Sequence, residues 1–125
     1  MSAVLVDTSV WVDHFRHRNA ALEILLRRDL ACIHPMIIGE LACGTPPAPR
    51  SRTLRDLGLL PTIQQASLRE TMAFIERESL YGLGCGLVDL VLLASTLLTP
   101  AARLWTLDQR LGKLAARFHV AHQFP

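Results

Sequence analysis

The sequence predicts an α/β protein: a three-layer α/β/α sandwich around a central, mostly parallel sheet. Three observations point there. Short apolar runs rich in Val and Leu alternate along the chain with stretches of helical periodicity. The first run, Ala3-Val-Leu-Val6, is apolar at successive positions, and successive strand residues face opposite sides, so both faces of that strand need covering. The chain has 125 residues, 50% of them hydrophobic and 19% charged. That fits one domain with one core, expected over 1–125, and excludes intrinsic disorder.

The elements follow in order. Ala3 to Val6 is a strand ended by the polar trio Asp7-Thr8-Ser9, a turn into a helix. Leu22, Leu25 and Leu26 fall at i, i+3 and i+4 and mark a helix closing near Arg27-Arg28. Leu30 to Ile33 is a second short strand. Pro35 stands where a helix prefers its first residue and Gly44 where one prefers its stop, so Pro35 to Cys43 is a short helix. Thr45-Pro-Pro-Ala-Pro49 is a loop between helices, followed by a helix over Ser51 to Leu57. Leu59 to Ile63 is a third strand, weakened by Pro61. Leu68, Met72 and Ile75 give an i, i+4, i+7 stripe for a long helix ending near Tyr81, with Glu70, Glu76 and Glu78 on its polar side. A glycine loop, Gly82 to Gly86, leads into an almost wholly apolar helix, Leu87 to Leu98, which Pro100 stops. Arg103 to Thr106 is a strand, Leu111, Leu114 and Phe118 mark a last helix, and a weak strand lies around Val120.

Composition excludes some classes and leaves others open. No uncharged apolar stretch of about 18 residues exists, and Leu87 to Leu98 carries Asp89, so no membrane span is expected. Met1 to Val6 runs straight into Asp7 without a basic n-region, and a cytoplasmic location is expected. Net charge is +2, with Arg at twelve of the thirteen basic positions and Lys only at Lys113. Arg suits bidentate phosphate contacts, but genomic base composition explains the bias as well. Cys32, Cys43 and Cys85 have neither zinc-knuckle nor C-x-x-C spacing and read as reduced core residues.

Four carboxylates break the pattern of solvated surface charge. Asp7 follows a buried strand at its carboxyl end, where open α/β sheets bind ligands, although Asp is equally a strong helix N-cap. Asp89 lies in the first turn of a helix apolar on every side, and a buried carboxylate is costly unless paired or metal-bound. Glu40 sits in the apolar helix Pro35 to Cys43 beside Gly39, a residue that suggests close approach to the backbone; a half-exposed surface Glu is the alternative. Asp108 follows the strand ending at Thr106 and opens a helix, so it serves either a site or the helix dipole, with Thr106 available as cap. Four acids gathered at one sheet edge repel one another unless a cation neutralises them. Oxygen ligands without a His or Cys set select Mg²⁺ or Mn²⁺, the ions of hydrolytic phosphoryl transfer.

At this point the residues resemble a known family. Val4-Leu-Val-Asp-Thr-Ser-Val-Trp-Val-Asp13, Ile38-Gly-Glu-Leu41, Leu87-Val-Asp89 leading Leu93-Ala94, and Leu104-Trp-Thr-Leu-Asp108-Gln-Arg-Leu111 are similar to a PIN domain, more narrowly to the VapC-type ribonuclease toxins of bacterial toxin–antitoxin pairs. The ordered set covers essentially the whole chain. The resemblance implies a PIN-like sandwich whose acidic pocket binds Mg²⁺ or Mn²⁺ and cuts single-stranded RNA. It implies Asp7 and Asp89 as the acids tied most directly to metal, Glu40 and Asp108 as those completing the shell or orienting water, and Thr8, Ser9 and Thr106 as accessory hydroxyls. It further implies a homodimer held by a small antitoxin of the VapB type. Gln109 and Arg110 follow Asp108 where some members carry a further acid, which leaves a second metal site open. His14, Arg16, His17 and Arg18, in the loop expected after the first strand, are candidates to steer the RNA backbone.

Other readings fit less well. A phosphoacceptor receiver domain needs an acidic pair after the first strand, and Asp7 has no acidic neighbour. The Gly82 to Gly86 loop follows a helix, whereas the dinucleotide fingerprint follows a strand; a flexible turn bringing Asp89 to the pocket is simpler. A catalytically weak or inactive PIN-like binding module is the remaining alternative.

Overall fold

The structure, a computed structural model, describes residues 3–124; Met1, Ser2 and Pro125, the ends of the unit expected over 1–125, lie outside the described residues. At its centre is β1 (Val4–Val6), flanked by β2 (Ala31–Cys32) and β3 (Arg103–Trp105) in the order β2-β1-β3, with both pairings parallel. Val4 stands opposite Ala31 and Arg103, and Val6 opposite Trp105. Val4, Leu5 and Val6 are 2%, 0% and 0% exposed. Their side chains alternate between the faces, so both faces are covered and the sandwich has the three layers expected.

Among the described residues seven helices provide the covering: α1 (Thr8–His17), α2 (Ala20–Arg27), α3 (Pro35–Ala42), α4 (Arg50–Leu57), α5 (Leu68–Glu78), α6 (Leu87–Leu98) and α7 (Gln109–Arg117). α3 packs on α1 and α4, while α6 packs on α5, α7 and β3. Local chemistry sets their starts. The Asn19 side chain accepts the Leu22 N–H at 3.0 Å to cap α2. Ser67 and Glu70 exchange hydrogen bonds with each other's backbone at the start of α5. At α3, with Pro35 in its first position, His34 is the cap, its Nδ1 accepting the Met36 N–H at 3.0 Å.

Several expectations need correction. Leu59 to Ile63 forms no strand, only the single bridge Ile33–Thr62. Pro61 has no N–H for a ladder, and it contributes its carbonyl to the Ile33 N–H at 2.9 Å instead. The strand around Val120 likewise reduces to one bridge, Leu104–Ala121. α5 ends at Glu78, short of Tyr81, because Ser79 turns left-handed at φ 54°. Its apolar stripe is not its buried face: Leu68 and Met72 are 57% and 56% exposed, whereas Thr71 and Phe74 are buried. Phe74 meets Phe118 at 5.3 Å between ring centroids, which rotates the helix away from the expected stripe. α6 is buried from Leu90 to Thr96 but exposes Leu87, Leu97 and Leu98, so it is not apolar-covered all round. Of the three cysteines, all free thiols, only Cys32 is a core residue; Cys43 is exposed and Cys85 half-buried.

Candidate active site

The parallel ladder between β1 and β3 builds the first half of the site. It runs one bond past the strands, with the Asp7 N–H donating to the Trp105 carbonyl at 2.9 Å, so that Asp7 and Thr106 arrive side by side. Asp7 occupies the N-cap position of α1, but its carboxylate does not cap. Instead Asp7 Oδ2 accepts the hydroxyls of Ser9 and Thr106, each at 2.8 Å. The side chain is buried, 5% exposed, and held by two oriented donors. Ser9 Oγ also accepts the Leu107 N–H at 3.0 Å, and Thr106 Oγ1 accepts the Asp108 N–H at 3.0 Å. Residues almost a hundred positions apart are thereby joined in one network.

Asp108 extends that network as the N-cap of α7, its Oδ1 accepting the Leu111 N–H at 3.0 Å. Asp108 itself caps the helix, in place of the Thr106 cap considered from sequence. Asp108 is exposed, and its second carboxylate oxygen has no hydrogen-bonded partner among the described residues.

The second half is looser. Glu40, the sixth residue of α3, is exposed, and its Oε1 accepts the Thr8 hydroxyl at 2.6 Å. Beyond Gly39's chain neighbours and its own helix backbone, no atom of the described residues lies within 4 Å of where a Cβ would stand on Gly39, so no other element makes the close approach expected there. Asp89, the third residue of α6, is half-buried rather than enclosed, and its one hydrogen bond is a long 3.4 Å contact from the Gly86 N–H. Glu40 and Asp89 are thus set within helices, and only Asp7 and Asp108 sit at strand ends.

Electrostatics ties the halves together. Burial pushes the Asp89 carboxyl above the ordinary range, and the Asp7 carboxylate pushes it further. The Gly86 N–H offsets part of this, and Asp108 and Glu40 add to the rise. All four acids therefore act on one locus. The ion pairs of the described residues, Arg18–Glu23, Arg55–Asp56 and Arg77–Glu78, include none of them. Among the described residues, none of the four acids has an ion-paired cation, although the charge of Arg110 reaches the adjoining Cys85.

The donors offered are carboxylate and hydroxyl oxygens. The neighbouring Cys85 thiol is held protonated, pushed up first by burial and then by Asp89 and Asp108. Such a set fits a hard divalent cation better than zinc. As the side chains stand, no group of three or more His, Cys, Asp or Glu is arranged to hold a metal ion among the described residues. Glu40 and Asp108 are directed to Thr8 and to the Leu111 N–H instead.

The basic cluster lies elsewhere than expected. His14, Arg16 and His17 form the last turn of α1, with Arg18 as its C-cap; they are not in a loop. His14 Nδ1 accepts the Asn19 N–H at 3.0 Å, and Arg18 pairs with Glu23 at 3.0 Å, so these two serve the α1–α2 corner. Arg16 and His17 are exposed, and Arg16 borders a cavity that reaches Glu40. Two neighbours of the acids escaped the sequence reading. Cys85 faces Asp89 and Asp108, and Arg110 packs over Gly84, where φ is +89° and a Cβ would stand 2.8 Å from Arg110 Cδ. The glycine at 84 was the available signal for that close approach.

Comparison with known proteins adds two findings. Residues 4–117 match the family model described as PIN domain. The chain is 42% identical over 123 residues to the protein named Ribonuclease VapC32 of Mycobacterium tuberculosis, in strains CDC 1551 and H37Rv, covering 94% of each chain.

Proposed function

The chain belongs to the PIN-domain family, and from that premise we propose that it is a VapC-type ribonuclease, a divalent-cation-dependent endonuclease of single-stranded RNA acting as the toxin of a toxin–antitoxin pair. The observation that carries the reading is the shared field of Asp7, Glu40, Asp89 and Asp108 at one edge, without an ion-paired partner.

Asp7 and Asp89 are the first choice to hold Mg²⁺ or Mn²⁺, with Glu40 and Asp108 second. When bound, such an ion supplies Lewis-acid stabilisation of negative charge on the scissile phosphate. The chain's own residues do the rest. Ser9 and Thr106 fix the Asp7 carboxylate in one orientation. Glu40, exposed and oriented by Thr8, takes the proton of the attacking water as its oxygen bonds to phosphorus. The P–O3′ bond breaks and O3′ takes a proton from solvent water to leave as a hydroxyl, so the products carry a 5′-phosphate and a 3′-hydroxyl. The proposed partners are RNA, a small VapB-type antitoxin and a second copy of the chain. No helix among the described residues is long and apolar enough to cross a membrane, which is compatible with the proposed cytoplasmic site of action.

The test is incubation of the purified protein with single-stranded RNA in Mg²⁺, Mn²⁺ or EDTA. Cleavage that needs the cation and is lost in Asp7→Asn and Asp89→Asn supports the reading. RNA binding without cleavage in either cation replaces it with the binding-module alternative.

A further inference from the structure

At Thr8 and Glu40 the acidic site opens into a groove whose remaining lining the proposed chemistry does not use. On α1, Thr8, Val12, Phe15 and Arg16 share one helical stripe, and opposite them stand Glu40 and Leu41 of α3, around a cavity of about 350 Å³. The groove begins at the Thr8–Glu40 hydrogen bond and ends at Pro46 and Pro47. From Thr8 to Arg16 it follows α1 for about 12 Å, at about 1.5 Å per residue.

Its far wall is fixed before any ligand arrives. Arg50 donates to the Ala42 and Gly44 carbonyls at 2.9 and 3.3 Å, and Thr53 donates to the Pro47 carbonyl at 2.8 Å. Prolines 46 and 47 have no N–H to offer, so that wall lacks two backbone donors and adds two apolar pyrrolidine rings to the lining. Val12, Phe15, Leu41 and the two prolines make the lining largely apolar, with Glu40 at the end toward the acids and Arg16, exposed, as the cation on the lining. A cavity of this volume, lined by one aromatic ring and two prolines and bordered by a cation, suits a nucleotide with its base inward and its phosphate outward.

We propose that this groove is the subsite for the nucleotide next to the scissile phosphate, its base packed between Phe15 and the Pro46–Pro47 wall and its phosphate met by Arg16. The assignment rests on the ribonuclease reading above, since it takes the strand to pass over Glu40. Packing against rings reads the presence of a base more than its identity, so the subsite grips and registers the strand with mild sequence preference.

The experiment is an abasic scan. A short single-stranded oligoribonucleotide, and versions lacking the base at one position each, are titrated by fluorescence anisotropy into the Asp7→Asn protein and into wild type in EDTA. Binding is thereby measured apart from cleavage, and its outcome is distinct from failure of the nuclease reading. Loss of one base is expected to weaken binding about ten-fold. Phe15→Leu, which keeps the apolar packing of Phe15 on the core but removes the flat ring, is expected to abolish that difference. Arg16→Ala is expected to weaken every oligonucleotide about equally and to reduce the salt dependence by about one ion. Thermal melts establish that both variants are folded. A flat scan, a scan unchanged in Phe15→Leu, or overall affinity unchanged in Arg16→Ala overturns the assignment. So does a Phe15→Leu protein that binds RNA normally but no longer retains its small protein partner, since the groove would then be a protein-docking surface.

Discussion

The two halves of the acidic site are built by different means. Asp7 is placed by sheet register and clamped by two hydroxyls, one of them 99 residues away, in a buried setting. Asp89 and Glu40 are placed by single helices, at half-buried and exposed positions, with one hydrogen bond each. The clamped half is preorganised and pays for rigidity with little mobility; the helical half keeps carboxylates that can still turn toward a ligand. The cost of assembling charge shows in the raised affinity of Asp89 for its proton. A rigid anchor facing an adjustable, electrostatically strained partner is an arrangement suited to closing on a cation and substrate together.

The largest expected effect separates charge from capping on the clamped side. Asp7→Asn removes a charge and no cap, so RNA cleavage should fall at least a hundred-fold while the melting temperature stays near wild type. Asp108→Asn keeps a good N-cap, and Asp108→Ala loses it at a stability cost of about 1 kcal/mol. If Asp7→Asn melted far below wild type without a matching loss of cleavage, the clamp would be structural rather than functional.

Next comes the clamp itself. Thr106→Val removes the donor to Asp7 and the acceptor of the Asp108 N–H. Cleavage should drop about ten-fold, with a stability loss of about 1–3 kcal/mol from the orphaned groups. Thr8→Val, on the exposed side, should cost only a few-fold in rate and almost nothing in stability. Equal effects from the two variants would erase the contrast between the halves.

The pH dependence probes the strained half. A raised folded-state pKa at Asp89 means its stabilising contribution is present below the unfolded value and lost as pH rises through the folded one. At neutral pH the cation-free protein is therefore destabilised by the ionised carboxylate, and Asp89→Asn should melt higher than wild type while failing to cleave RNA. A lower melting temperature would show that Asp89 is already compensated.

The smallest effect lies in the core. His34 is buried, its Nδ1 accepts the α3 cap hydrogen bond, and its Nε2 has no partner. Burial lowers its pKa, so its contribution is present above the unfolded value of about 6.5 and lost as pH falls through the lowered one. Melting temperature should decline below about pH 6.5, and less steeply in His34→Asn, which retains a capping side chain.

How much of this the sequence disclosed depended on range. β1, α2, α6 and α7 were readable because their signals are local: a Val run, Leu spacing, an apolar stretch before Pro100. Glu40 and Asp89 stood out because they interrupt apolar helices and Asp7 and Asp108 because they follow strands, and the resemblance that ordered them is borne out by the PIN match. What was hidden was set by partners distant in the chain. The α5 stripe at Leu68 and Met72 looked like a buried face, but Phe118, more than forty residues on, decides which side Phe74 turns inward. The hydroxyl clamp on Asp7 depends on the Val6–Trp105 register, which no spacing encodes. The basic cluster was misplaced because α1 starts directly at Thr8 and absorbs the expected loop.

The account turns on the two halves acting as one cation centre, and titration of Mn²⁺ into the RNA-free protein, followed by the paramagnetic resonance signal of the unbound ion, measures that directly. Wild type should bind Mn²⁺ saturably, with at least ten-fold weaker binding in both Asp7→Asn and Asp89→Asn. Saturable binding that survives both substitutions, or none in wild type, would contradict it.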